Sequence, residues 1–341
     1  MTNVHLRLPH FYNLFTNVRK KIRKIPEHFM IWGLPLFAEV CYNVRDVLRW
    51  EEFLFVNILF STIKENKTVE KIRRNERMSA MMKILSGAPN RIFTLSHFCE
   101  LFGTAKSTMS EDIDILRDVV SQFGLGELET VTGSAGGVRY RSKVKRPDSR
   151  KFVGDLCQML SGTERVLPGG FLYYSDILSN PAITGKMGEI MATEYYSLAP
   201  DFVLTMETKG IPVAFATANA LGVPLVIARR SSKAYEGSAV NINYVSGSGS
   251  IETMSLSRRS VKEGQKCLIV DDFLKGGGTA KGMVDLMREF GVEVVGMTFV
   301  MSTAKPLKKR ITGEKSLMVL DMDVENETAH VKPAFWLNGD A

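Results

Sequence analysis

Between residues 77 and 120 apolar positions recur every three or four residues, in three separate runs. Met78, Met81, Met82 and Leu85 fall on one face of a helix predicted over 77–85. Thr94 is placed to cap a second helix over 95–102, and Gly103 ends it. A third helix opens at Ser107 or Thr108, with Met109, Ile113, Leu116 and Val120 at helical spacing. Two short strands, 128–132 and 138–141, then flank a glycine-rich tip at 133–137. From residue 147 onward strands and helices alternate. Apolar strands are expected at 202–206, 224–228, 266–270 and 292–301, with helices at 213–221, ended by Gly222, and from the glycines after 275 through Phe290. Strand–turn–helix units of this length predict an α/β fold with a mostly parallel sheet and ligand sites at the strand C-terminal ends.

These patterns divide the chain into 1–68, 69–146 and 147–341. The first segment carries Trp32, Trp50 and basic clusters such as Lys20-Lys21, with no motif, and reads as short amphipathic helices. A length of 341 residues suits two domains, and 45% hydrophobic with 24% charged residues suits a globular protein. The net charge of +7 favours anionic partners such as nucleic acid or phosphate ligands. Cys41, Cys99, Cys157 and Cys267 are scattered, without zinc or disulfide spacing, and the five histidines are equally dispersed, so no metal site is expected. The longest apolar run, 53–63, is shorter than a membrane span and carries Asn57. With no secretory signal at the start, a cytoplasmic protein with reduced thiols is expected.

Two helices separated by Gly103 and followed by a basic hairpin make a winged helix-turn-helix, whose third helix would enter the major groove. Its first turn offers Lys106, Ser107, Thr108 and Ser110 as donors to phosphates and base edges. The wing carries Arg139, Arg141 and Lys143, then Lys145 and Arg146, a basic edge suited to the DNA backbone. Acidic Glu111, Asp112 and Asp114 follow the first turn, so a protein-binding module is the competing reading.

The run 268–279 is the strongest local signal. A buried strand delivers Asp271 and Asp272, then Phe273, Leu274 and Lys275 lead into Gly276, Gly277, Gly278 and Thr279 at the start of a helix. Phosphate needs converging amides and a positive helix end, which glycines leave open to close approach. The carboxylates are badly placed for phosphate but well placed to accept from vicinal ribose hydroxyls. The spacing fits neither a Walker loop nor the dinucleotide fingerprint, since both acids precede the glycines.

This stretch resembles the phosphoribosyltransferase signature for phosphoribosyl pyrophosphate (PRPP). Thr208, Lys209 and Gly210, between a strand and a helix, resemble that family's diphosphate loop, and the segment 244–249, with Tyr244, Ser246 and Gly247, resembles its flexible loop. Together with Ala105-Lys106-Ser107-Thr108, the tip 133–138 and Leu167-Pro168-Gly169-Gly170, these motifs make residues 69–303 similar to the purine operon repressor of Gram-positive bacteria. The resemblance implies a type I phosphoribosyltransferase-like domain behind the winged helix. It also implies a homodimer that binds operator DNA, represses purine genes and is released by PRPP, which carries Mg²⁺ on its own oxygens. In that family the transferase-like domain senses rather than catalyses, and purine nucleotides or guanosine tetraphosphate compete for the pocket. By the same resemblance the natural start would lie near Val69, with 1–68 as translated upstream sequence. The alternative is an active purine phosphoribosyltransferase with a nucleic-acid-binding attachment. Lys275, where catalytic members carry a small residue, and the motif-free tail after Met301 count against it. Lys308, Lys309 and Arg310 read as a solvated turn.

Overall fold

Helices α1 (Arg74–Gly87), α2 (Leu95–Phe102) and α3 (Lys106–Gln122) come first, followed by the antiparallel strands β1 (Glu127–Val131) and β2 (Gly137–Arg141). The computed structural model describes residues 72–133, 136–231, 237–246, 249–323, 325–326 and 328–338, and the chain from Ile72 onward forms one compact unit. The expectations for residues 1–68 lie outside the described residues.

The local chemistry of α2 follows the sequence. Thr94 Oγ1 accepts from the amide of His97 at 3.2 Å, and Gly103 closes the helix in the left-handed region at φ 63°. Helix α3 begins at Lys106, slightly earlier than its spacing suggests, with Ala105 at the cap. Met81, Leu85, Phe98, Met109, Ile113, Leu116 and Val120 fill the small core, as the periodicity requires. Met78 and Met82 sit at its margin, and the third residue of the buried stripe on α1 is Arg77. Its guanidinium donates twice to Asp112 Oδ2, at 2.8 and 3.0 Å, while Arg74 Nε donates to Oδ1 at 2.7 Å. The exposures of the Arg77 and Asp112 side chains are 8% and 0%. Asp112 thus fastens α1 to α3 and adds none of its own charge to the outer face of α3.

The second half is built on a six-stranded sheet. Helix α4 (Arg146–Leu160), short strands β3 (Val166–Leu167) and β4 (Phe171–Leu172), and helices α5 (Ser175–Ser179) and α6 (Pro181–Thr193) precede it. Then follow β5 (Phe202–Met206), α7 (Ile211–Leu221), β6 (Leu225–Ala228), β7 (Ala239–Val245), β8 (Ile251–Ser257), β9 (Lys266–Leu274), α8 (Gly278–Glu289), β10 (Glu293–Thr303), β11 (Lys315–Asp323) and β12 (Thr328–Pro333). The sheet order is β12-β11-β10-β9-β5-β6, parallel throughout except for the β11–β12 pair. Residues of β9 alternate between two cores. Leu268 and Val270 pack with α4, α6 and α7, whereas Cys267 and Ile269 pack with α8 and the β7–β8 hairpin. A sheet covered on both faces reads as a continuous apolar run, and the strands of this sheet do so.

Two features depart from the sequence-based expectation. The tail after Met301 supplies β11 and β12, which complete the sheet. The segment expected to be a flexible loop begins within a paired hairpin, with Tyr244 and Val245 at the end of β7. Tyr244 belongs to β7, opposite Glu252, with its ring against Gly282 of α8. Ser246 begins a tight turn, its amide donating to the Ser250 carbonyl at 2.8 Å, and Gly247 lies outside the described residues. The seven-residue antiparallel ladder of β7 and β8 flanks the Ser/Gly stretch, which lies between the two strands.

Candidate effector pocket and nucleic-acid face

Strand β9 runs four residues beyond its predicted end, so Asp271 and Asp272 sit on the strand itself, and Asp271 lines a cavity of about 840 Å³. Lys209, Asp271, Phe273, Lys275, Gly276, Gly277, Gly278 and Thr279 all line that cavity, although 209 and 271 are far apart in sequence. The parallel pairing of β5 with β9 brings the two loops together. Gly277 stands at φ 79° as the N-cap of α8, so the unpaired first amides of that helix face the cavity. A methyl on Gly278 would strike the Val245 carbonyl of the hairpin, so only glycine fits there.

The diphosphate-type loop packs equally closely on the acids. A methyl on Gly210 would collide with Asp271 Oδ1 and the buried Thr205 hydroxyl. Thr208 and Lys209 are exposed on the same loop, whose Glu207–Thr208 peptide is cis. The two carboxylates have different surroundings. Asp271 is buried, accepts the Asp272 amide at 3.0 Å, and is held well above the usual carboxylate range by burial and by its neighbour's charge. Asp272 accepts the Tyr174 phenol at 2.6 Å. Tyr174 also stacks on Phe273, and Lys209 Nζ lies 5.2 Å from its ring centroid. Burial and the adjacent carboxylates raise the Tyr174 phenol above its ordinary value.

Sequence reasoning missed Tyr174, which stands 98 positions from its partner and carries no local signal. In the 308–310 run Lys308 and Arg310 are exposed, as a solvated turn requires, whereas the Lys309 side chain is tied into the fold. Lys309 Nζ donates to the carbonyls of Lys275 and Thr303 at 2.7 and 2.9 Å, and the Arg310 amide donates to Gly276 at 3.0 Å. These residues brace the glycine loop from behind. Burial lowers the Lys309 ammonium below its ordinary value.

On α3 Lys106, Ser107 and Ser110 are exposed and Thr108 is half-buried, at the helix end that the sequence assigned to the groove. The remaining acids have local partners: Glu111 pairs with Arg74 at 3.3 Å and Asp114 with Arg117. The wing differs from expectation. Arg139 and Arg141 share Glu129, at 2.9 and 2.8 Å, and Lys143 pairs with Glu127 at 2.5 Å. Arg146 pairs with Glu194 at 3.2 Å and stacks on Trp336. Arg141, with a side chain 12% exposed, also donates to Asn90 Oδ1 and lies over the Tyr196 ring. It points into the body of the protein, because the wing's strand is also the strand that joins the two halves. The free basic edge expected of 139–146 is therefore largely engaged within the fold.

Residues 73–142 match the family model for the N-terminal domain of the bacterial purine repressor, and residues 174–334 match that for the phosphoribosyl transferase domain. The probable purine biosynthesis transcriptional regulator of Streptococcus pneumoniae serotype 4 is 43% identical over 265 residues, covering 77% of this chain and 96% of that protein. The chain belongs to the bacterial purine repressor family. The purine biosynthesis transcriptional repressor of Bacillus subtilis is 44% identical over 252 residues, covering 73% of this chain and 88% of its own. In Lactococcus lactis subsp. lactis the corresponding relative, 39% identical and covered over 97% of its length, is named a transcriptional activator. The α/β fold expected from the sequence, with a mostly parallel sheet behind the helix-turn-helix module, is the fold of this member. Among the described residues no helix is long and apolar enough to cross a membrane.

Proposed function

We propose that this family member represses purine biosynthesis and transport genes by holding operator DNA with α3, and lets go when PRPP fills the cavity. The observation that carries the effector half is convergence. A glycine loop opening α8, a lysine on a second loop and Asp271 line one cavity large enough for a sugar bearing phosphates, with Asp272 beside it bound to the lining residue Tyr174. The 5-phosphate takes the α8 amides and Thr279. Lys209 and the loop amides take the diphosphate, and the acids take the ribose hydroxyls. Mg²⁺ arrives on ligand oxygens, as it commonly does with phosphates. Purine nucleotides and guanosine tetraphosphate are competitors for the same phosphate-binding amides. The transferase fold serves as a sensor in the cytoplasm, without turnover.

For the DNA half, the exposed donors at the start of α3 and the net charge of +7 support groove entry and phosphate attraction. A helix-turn-helix reads paired half-sites as a dimer, and a homodimer is the form proposed here. Titration calorimetry with PRPP and Mg²⁺, in the presence and absence of operator duplex, tests the linkage. PRPP should bind more weakly when operator is present, since only differential affinity shifts an equilibrium. Equal affinity under both conditions would sink the reading. Gel shifts with competitor DNA separate specific from non-specific binding. Incubation with PRPP, Mg²⁺ and each purine base should yield no nucleotide.

Tyr174 sets the affinity of the pocket. Its ring bridges Lys209 and Asp272, the groups assigned to diphosphate and ribose, so sugar and phenol compete for one carboxylate. Tyr174→Phe keeps the ring and removes the competing donor. PRPP should then bind about tenfold more tightly, the scale of a hydrogen bond to a charged group that is partly exposed to water. Weaker binding by the variant would mean that the phenol orients Asp272 instead.

A further inference from the structure

Asn90 stands in the left-handed region at φ 60°, between the winged helix and the sheet domain. Its side chain makes two bonds, one across this junction and one to the wing. Asn90 Nδ2 donates to the Leu221 carbonyl at the C-terminus of α7 at 2.8 Å, and Oδ1 accepts Arg141 Nε at 3.0 Å. The Asn90 amide donates to the Tyr140 carbonyl at 2.7 Å. The next carbonyl of α7, on Ala220, accepts the Tyr196 hydroxyl at 3.0 Å, and that hydroxyl lies 3.3 Å from Ser142 Oγ. The Arg141 guanidinium covers the same ring at 5.0 Å. Three successive residues of the wing, 140 to 142, are thereby tied to one helix end. The approach is close: Gly222, at φ 68°, faces the Pro89 carbonyl with no room for a methyl.

The other end of α7 is the effector loop. Gly210 caps the helix, directly after Thr208 and Lys209, and packs on Asp271. Eleven residues at 1.5 Å each make a rod of about 16 Å with a phosphate loop at one end and the wing at the other.

We propose that α7 couples the effector pocket to the winged helix, with Asn90 and Tyr196 as the positioning residues at its far end. This rests on the effector reading above and adds the route. Two features suit the junction to shifting. The apolar core of the winged helix and that of the sheet domain are separate clusters, so polar contacts carry much of the connection. Beside those contacts lies a cavity of about 260 Å³ lined by Ser86, Tyr140, Ser142, Glu189 and Asn219, which leaves room for the helix end to shift. Hydrogen bonds of this kind exchange partners at little cost, whereas an interdigitated apolar seam resists sliding. Ligand phosphates strain the loop at Lys209, α7 transmits the strain with the apolar core of the sheet domain around it, and the give comes at the polar contacts of the wing with the Ala220 and Leu221 carbonyls. Arg141, expected from sequence to touch DNA, acts instead as a brace between Asn90 and Tyr196.

The test measures coupling apart from binding. Asn90→Gly removes the side chain yet tolerates the left-handed backbone, and Tyr196→Phe removes only a hydroxyl. In the full chain, each variant should bind PRPP alone and operator alone within about threefold of wild type. The factor by which PRPP weakens operator binding, about 5- to 150-fold in typical allosteric systems, should fall close to one in the double variant. A wild-type coupling factor in the folded double variant overturns the proposal. If the double variant melts below assay temperature, Tyr196→Phe alone decides, because its ring packing is retained. Wild-type protein with no affinity for PRPP would sink the effector reading itself, and this proposal with it. Intact coupling in the variants would sink only the route.

Discussion

Alanine at both Asp271 and Asp272 should abolish release of operator DNA by PRPP while leaving operator binding largely unchanged. A hydrogen bond contributes about 0.5–1.5 kcal/mol, or about 1.5–3 kcal/mol to a charged group, so losing both ribose anchors should weaken PRPP by roughly thirtyfold or more. Calorimetry reads the affinity, and gel shifts with increasing PRPP read the release. A double variant that still releases DNA at wild-type PRPP concentration would remove the acids from the pocket. The two positions should separate in milder variants. Asp271 is buried with a raised pKa, so Asp271→Asn mimics its protonated form, whereas Asp272→Asn alters the part-buried acceptor of the Tyr174 phenol. The second should cost the greater affinity. Linkage gives a check on Asp271 alone. A raised carboxyl keeps a proton in the folded state that the unfolded chain has already released. Its contribution to stability therefore falls as pH rises from the ordinary carboxylate value towards its own, and Asp271→Asn should flatten that fall in denaturant titrations.

Asp112→Ala should be the most damaging single change in the winged helix. It leaves Arg77 buried without a counter-charge, and breaking such a pair costs about 3–5 kcal/mol. That is a large part of the about 5–15 kcal/mol that holds a domain folded. Operator binding should disappear with it, because α1 no longer fixes the tilt of α3. Arg77→Met combined with Asp112→Leu should recover most of the loss, since well-packed apolar residues often replace a buried ion pair at no net cost. Chemical denaturation separates the cases. A loss below about 1 kcal/mol for Asp112→Ala would show that the pair is solvated and the helix junction held by the apolar core alone.

The signal for Arg77 and Asp112 was present in the sequence but easily overlooked. Arg77 precedes Met81 and Leu85 at helical spacing, and Asp112 falls on the inner stripe with Met109, Ile113 and Leu116. Charged residues are rarely found inside unless paired, so neither position stands out as part of a core. Tyr174 had no such signal. The wing was misjudged for a related reason: a run of Arg and Lys gives the amount of charge but not its direction, and Glu127 and Glu129 on the neighbouring strand draw it inward.

Sequence alone determined whatever chemistry is written within a few consecutive residues. The glycine loop after two acids, the Thr94 cap, the spacing of α3 and the apolar runs of β5 and β9 each depend on local backbone preference and period. Tertiary structure decided which distant groups meet. The pairing of β5 with β9 brings Lys209 to Asp271, the chain's return past residue 174 places a phenol on Asp272, and β2 lies where Asn90 and Tyr196 hold Arg141. Such partnerships are selected by topology and burial, because a charge or hydroxyl bonds to whatever the fold brings within about 3 Å, whatever its distance along the chain.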